Sequence, residues 1–258
     1  MKTIYLLLSL SFLNLNAQER IKVNYTETII IDYTILRKEQ LYIDLKDNKT
    51  VWVQNASTEK EYDSNEPIEK APQEVYGNAF TATLGRTIPN DYILYDFKNK
   101  EIEIIQDLGK RVFSVKDSFI INKWDLQKES KMVNGIECFK ASTTFRGNDW
   151  EVWYAPSLPY PYGPWKLNGL PGLILEAKST DGYYTYIAEK IENDYKTNEL
   201  VIPRDKILKE ISFREYLEYQ DYLFNDLFLG KNAPPPEDIF ARDREKKFEI
   251  KANLSWLK

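Results

Sequence analysis

The chain has no histidine, and one of its 258 residues is cysteine. The first absence removes Ser-His-Asp and Cys-His catalysis, imidazole-ligated zinc or iron, and the commonest general base at neutral pH. The second removes thiolate metal clusters and any internal disulfide, so stability has to come from the core alone. Cys138 lies in the alternating segment Ile136-Glu-Cys-Phe-Lys140, where a buried, inert thiol is expected. Glycine-rich phosphate loops are missing, as is the Asp/Asn run closed by Glu of a helix-loop-helix calcium site. The sequence therefore points to no cofactor and no metal. Lys+Arg number 35 against Asp+Glu 40, a net charge of -5, so there is no basic footprint for nucleic acid. Beyond the N-terminus no run reaches the about 20 apolar residues of a membrane-spanning helix.

What is present is the composition of a folded protein, 43% hydrophobic and 29% charged. Aromatics are enriched, with Tyr 18. Such residues suit half-buried sheet faces, and they also suit surfaces that grip sugars, lipids or peptides. Lys2, the apolar run Ile4 to Leu15, and Ala17 before Gln18 read as an export signal over residues 1–17. The expectation is a periplasmic or secreted protein whose residues 18–258 form a single β-rich domain, helical from about residue 205.

Strand signals recur along the chain. Ile21 to Tyr33 lacks breakers, and Leu41–Leu45 and Thr50–Gln54 flank the turn formers Asp47-Asn48-Lys49. Ser57 to Ala79 reads as a polar loop or lid. Tyr92–Phe97 and Glu101–Ile105 flank Asn99-Lys100, and Phe113 to Lys123 reads as a further strand. A meander follows: Trp124–Val133, the strong hairpin signal Asn134-Gly135, Ile136–Phe145, a turn from Arg146 to Asp149, and Trp150–Ala155. Leu173–Lys178 and Tyr183–Ile191 come next, joined through Asp181-Gly182. Ser212 and Glu215 form a capping box ahead of Phe213, Tyr216, Leu217, Leu223, Phe224, Leu227 and Phe228 at helical spacing, with Gly230 as the stop. The fold expected is mainly β, a curved antiparallel sheet with a C-terminal amphipathic helix.

Between two of these strands lies the least ordinary stretch. Pro156, Pro159, Pro161 and Pro164 alternate with Tyr160, Tyr162 and Trp165, a stiff connector or a recognition surface. Then come Gly169, Leu170, Pro171, Gly172, Leu173 and Ile174. Glycine permits backbone angles other residues avoid, and proline fixes one angle, so the stretch specifies a bent path into a buried strand. It is read as structural first and as a contact site second. The candidate ligand or partner surface is Tyr160, Tyr162 and Trp165.

Those six residues, with the Gly135 hairpin, Phe145-Arg-Gly, the Trp-rich strand and Gly163-Pro164, resemble the GLPGLI family of exported Gram-negative proteins. The resemblance covers the N-terminus and about Trp124 to Ile191 and implies an exported protein of the cell envelope. It supplies no catalytic residue, and Leu167-Asn168 departs from the aromatic or glycine often found before the signature. By analogy the sheet resembles the half-barrel of lipoprotein carriers.

Three functions fit these residues. One is a non-enzymatic binding or accessory protein, holding an apolar ligand, a peptide or an outer-membrane protein. Another is a glycan hydrolase working with two carboxylates; Asp149, Glu151 and Glu176 lie near the signature in sequence. The last is a structural envelope protein.

Overall fold

The computed structural model describes residues 19–30, 34–55, 59–61, 86–108 and 110–224. Residues 1–17, where an export signal is expected, residues 62–79 of the expected polar loop and everything after Phe224 lie outside that set, including Leu227, Phe228 and Gly230.

Alternation builds the sheet. In β1 (Arg20–Ile30) Ile21, Val23, Tyr25, Glu27 and Ile29 are buried while their neighbours are partly or fully exposed, the pattern of a strand with one inner face. β2 (Thr34–Asp44), β3 (Lys49–Asn55), β5 (Asn90–Asp96), β6 (Glu101–Asp107) and β7 (Val112–Asp117) follow as an antiparallel meander. The short β4 (Glu59–Glu61) pairs β2 off this path, so part of the expected polar loop is strand. A second meander runs through β8 (Asp125–Val133), β9 (Ile136–Phe145), β10 (Asn148–Ala155), β11 (Leu173–Ser179) and β12 (Tyr184–Asn193). Antiparallel pairing of β12 with β1 fuses the two meanders. With β13 (Ile207–Ser212) at one edge, the sheet order is β13-β7-β6-β5-β3-β2-β1-β12-β11-β10-β9-β8.

Two tight turns are formed as their residues require. Asn134 and Gly135 have φ of 50 and 78, and Arg146 and Gly147 have 54 and 76, the positive pair of a two-residue hairpin. The second turn starts the strand at Asn148 rather than at Trp150.

The sheet is open and strongly curved. β7 and β8 stand ten positions apart in the strand order, about 48 Å if the sheet were flat. The connection between Asp117 and Asp125 spans seven residues, which reach at most about 29 Å. Only curling brings the two sides of the sheet together. Residues 118–124 are accordingly a bridge, and the strand expected up to Lys123 stops at Asp117.

The inner face carries the main core, with Trp52, Trp150, Tyr25 and Tyr186 at its centre. Trp52 meets Tyr25 at 5.4 Å and Tyr186 at 5.8 Å. A smaller apolar cluster lies on the outer face, where Tyr42, Val53, Tyr92, Ile105 and Val112 are covered by Tyr195, Leu200 and Ile202 of the crossover after β12. That crossover leads into β13 (Ile207–Ser212), which runs parallel to β7. The region expected to be helical from about 205 thus begins as a strand, and the sheet is antiparallel except at this edge. Helix α1 (Phe213–Phe224) starts at the expected capping box: Glu215 N–H donates to Ser212 Oγ at 3.2 Å, and Ser212 N–H donates to Glu215 Oε2 at 2.7 Å. Tyr216 OH donates to Gln106 Oε1 at 2.6 Å and Tyr219 packs on Phe113, which seats the helix on the inner face.

Candidate functional site

Residues 156–172, between β10 and β11, fold back into the curved sheet and fill one end of its inner face. The backbone pins this plug to itself and to its flanks. Gly169 N–H donates to Pro161 O at 2.9 Å, Ile174 N–H to Tyr162 O at 3.0 Å, and Leu173 N–H to Leu158 O at 2.9 Å. The 118–124 bridge closes over it: Trp124 Nε1 donates to Asn168 O at 2.8 Å, and Asn168 N–H donates to Asn122 Oδ1 at 2.7 Å.

The glycines of the signature have two separate reasons to be glycine. Gly169 has φ of 93, a left-handed angle that a side chain makes costly. Gly172 sits against the end of β10, where a Cβ would stand 2.3 Å from Ala155 O and 2.6 Å from Ala155 C. Leu170, Leu173 and Ile174 are buried, and Pro171 is exposed.

The three aromatics of the candidate surface are placed in the plug. Tyr162 is buried, donates to Asn48 Oδ1 at 2.6 Å and packs on Phe97. Trp165 is buried against Phe145 and Trp150, with its own φ at 52, an unusual angle for a bulky residue. Tyr160 is half-buried. In this arrangement Tyr162 and Trp165 face the protein's own core.

A buried ionic group holds the plug to the sheet. Lys166 Nζ lies 2.9 Å from Asp117 Oδ2, and Arg146 Nη2 lies 2.7 Å from Asp117 Oδ1. All three side chains are at most 2% exposed. Burial alone would raise the Asp117 carboxyl; Lys166 and Arg146, by charge and hydrogen bond, outweigh it and hold the group below the ordinary carboxylate range. Strand β7, the β9–β10 turn and the plug meet at this one carboxylate.

The carboxylates suggested by sequence proximity are each taken up by a separate partner. Glu151 is bridged to Lys140 at 3.1 Å, Glu176 to Lys131 at 2.7 Å, and Asp149 accepts from Thr144 Oγ1 at 2.6 Å. Cys138 is buried, and burial pushes its thiol up to about 11. Among the described residues no group of three or more His, Cys, Asp or Glu could hold a metal. A shallow groove of about 270 Å³ lies beside Ile136, Leu175, Ala188 and Ile191, where β11 and β12 part.

Two buried acids, not expected from the sequence, lie at the other end of the inner face. Glu27 on β1 and Glu39 on β2 are 1% and 0% exposed. Glu27 accepts from Tyr186 OH at 2.8 Å and from Arg37 Nη1 at 3.5 Å. Glu39 Oε2 accepts from the Asn55 N–H at 2.9 Å, while among the described residues Oε1 meets no donor. Burial, then the charge of Glu27, push Glu39 well above the usual carboxylate range against the pull of Arg37. The signal was present in β1 and β2: Glu27 shares the parity of Ile21, Val23, Tyr25 and Ile29, and Glu39 that of Ile35, Leu41 and Ile43.

A protein-family model described as N-glycanase peptide, N-terminal domain, matches residues 81–221. No curated protein matches the chain. Among solved structures, PNGF-II in two crystal forms is similar at 16% and 17% identity and a TM-score of 0.46, over 80% of this chain. This chain spans about a third of the length of those PNGF-II chains, 33% and 32%. A LolA superfamily protein from Nitrosomonas europaea is 8% identical at a TM-score of 0.29, covering 71% of this chain and 90% of its own.

Proposed function

Because the chain belongs to the N-glycanase peptide, N-terminal domain family, we propose that it is an exported, non-catalytic binding or accessory module of the cell envelope. The observation that carries the reading is what the signature builds. Gly169 to Ile174, Trp165 and Lys166 form an internal plug held by hydrogen bonds and a buried carboxylate, the construction of a rigid scaffold. The same plug sets the conformational demands on Gly169 and Gly172 of this chain. Ligand or partner contact then falls to the outer surface and the open edge at β8, where Leu126 and Met132 are exposed and Lys131 lies over the Trp153 ring at 4.4 Å. An apolar ligand, a peptide or an outer-membrane protein suits such a surface. Among the described residues no helix is long and apolar enough to cross a membrane, which says nothing of a β-barrel.

The test incubates purified protein with phospholipid vesicles, envelope peptides and glycans, with and without EDTA, and follows both retention and turnover. Retention without turnover is the expected result. EDTA-insensitive glycan cleavage lost on a single Asp or Glu substitution overturns the reading in favour of a carboxylate hydrolase, and cleavage abolished by EDTA overturns it in favour of a metalloenzyme.

A further inference from the structure

We propose that Glu27 and Glu39 form a proton-sharing pair that makes the β1–β2 end of the inner face a pH-sensitive element. The geometry states the problem. Two carboxyl groups project from adjacent strands into one buried space, Glu27 cross-strand from Arg37 and Glu39 cross-strand from Tyr25. The groups that face the pair are Tyr25 on β1, Arg37 on β2, the Asn55 N–H on β3, Asp91 on β5 and Tyr186 on β12. Asp91 is already engaged by Arg86 at 2.5 Å. One guanidinium, at 3.5 Å, is therefore the cation nearest two acids.

Donors account for three carboxyl oxygens: Tyr186 OH for Glu27 Oε1, Arg37 for Glu27 Oε2, and Asn55 N–H for Glu39 Oε2. Glu39 Oε1 is the fourth, buried with no N–H or O–H in reach among the described residues. An ionised oxygen in that position is costly, and two carboxylate oxygens can bond only through a proton. A proton on Glu39 shared with Glu27 completes the set and leaves one negative charge opposite Arg37. Removing it leaves two charges in one buried space, and repulsion then acts across the β1–β2 ladder.

The sign follows from proton linkage. An unfolded Glu ionises near pH ~4.3, whereas folded Glu39 keeps its proton to a higher pH. Between those values the folded state binds the extra proton, so stability is fully present below the unfolded pKa and is lost as pH rises through the folded one. The unfolding constant should rise by up to about tenfold per pH unit inside that window.

Carboxyl-carbon NMR titration of glutamate-labelled protein, run with hydrogen exchange of β1 and β2 amides, tests this on the whole chain. One glutamate resonance should titrate far above the exposed ones, and E39Q, a neutral mimic of the protonated acid, should abolish both that titration and the pH-dependent loosening. In E27Q, Glu39 should titrate closer to an ordinary glutamate, a result that does not depend on how E39Q folds. All glutamates titrating in the ordinary range, or E39Q loosening with pH as the parent does, overturns the proposal.

Discussion

Replacing Gly172 with alanine puts the structural reading of the signature under direct strain. The new Cβ would stand 2.3 Å from Ala155 O, 2.6 Å from Ala155 C and 2.9 Å from Pro156 N. All three are backbone atoms, so no side chain can swing aside. Relief requires the end of β10 and the start of β11 to separate, although Ala155 and Leu173 are register partners there. Overpacking of this kind costs roughly 1–3 kcal/mol, and the absence of a yielding side chain puts Gly172→Ala near the top, about 3 kcal/mol. For a chain of this size that lowers Tm by about 6–12 °C. Gly182→Ala is the control: nothing lies within 4 Å of its Cβ, and its φ of +82 leaves only backbone strain. That strain is about 1–2 kcal/mol. Thermal melts followed by near-UV circular dichroism, sensitive to Trp150 and Trp165 in the core, compare the two. If Gly172→Ala melts within a degree of the parent, the close approach is not a constraint. Should it also lose partner binding, the stretch is a contact site.

Other outcomes follow from the same structure. Asp117→Asn leaves Lys166 and Arg146 without their shared carboxylate and should cost about 3–5 kcal/mol at neutral pH by denaturant titration. Because the Asp117 carboxyl is held below its unfolded value, its contribution is present above the unfolded pKa and lost as pH falls through the folded one. The parent's stability should therefore drop in acid, and the Asp117→Asn protein should show a shallower drop. Ser212→Ala removes the hydroxyl that accepts from the Glu215 N–H and should cost about 1 kcal/mol, read as a lower urea midpoint. Cys138, buried and with its thiol pushed up to about 11, should resist alkylation in the native state and react only on unfolding, as thiol-reagent kinetics would show.

Local chemistry made much of this fold legible in the sequence. The alternation of β1, the Asn134-Gly135 hairpin and the Ser212 capping box each depend on neighbours within a few residues, and each formed as its residues dictate. The glycine-proline stretch was readable as a bent path into a strand for the same reason. β13 was not readable: in Ile207–Ser212 only Ile211 is buried, so the segment carries no alternating apolar face to declare it a strand. Its partner β7 lies far back in the chain. The meeting of Asp117, Arg146 and Lys166 depends on sheet curvature that no local pattern encodes. Glu27 and Glu39 were visible as acids at inner-facing positions, yet their adjacency depends on the β1–β2 register. Nor could the aromatic enrichment tell a recognition surface from a plug, since Tyr162 and Trp165 suit either until their neighbours are known.

The central claim, that the signature stretch is part of the core rather than an open binding loop, is tested most directly by native-state hydrogen exchange at Gly169 and Ile174. Their amides donate to Pro161 and Tyr162 inside the plug. The account predicts that both exchange only through openings close in free energy to global unfolding, and that Asp117→Asn speeds them. Exchange of both amides at the rate of an unstructured loop, in a protein whose β1 and β12 amides stay protected, would contradict it.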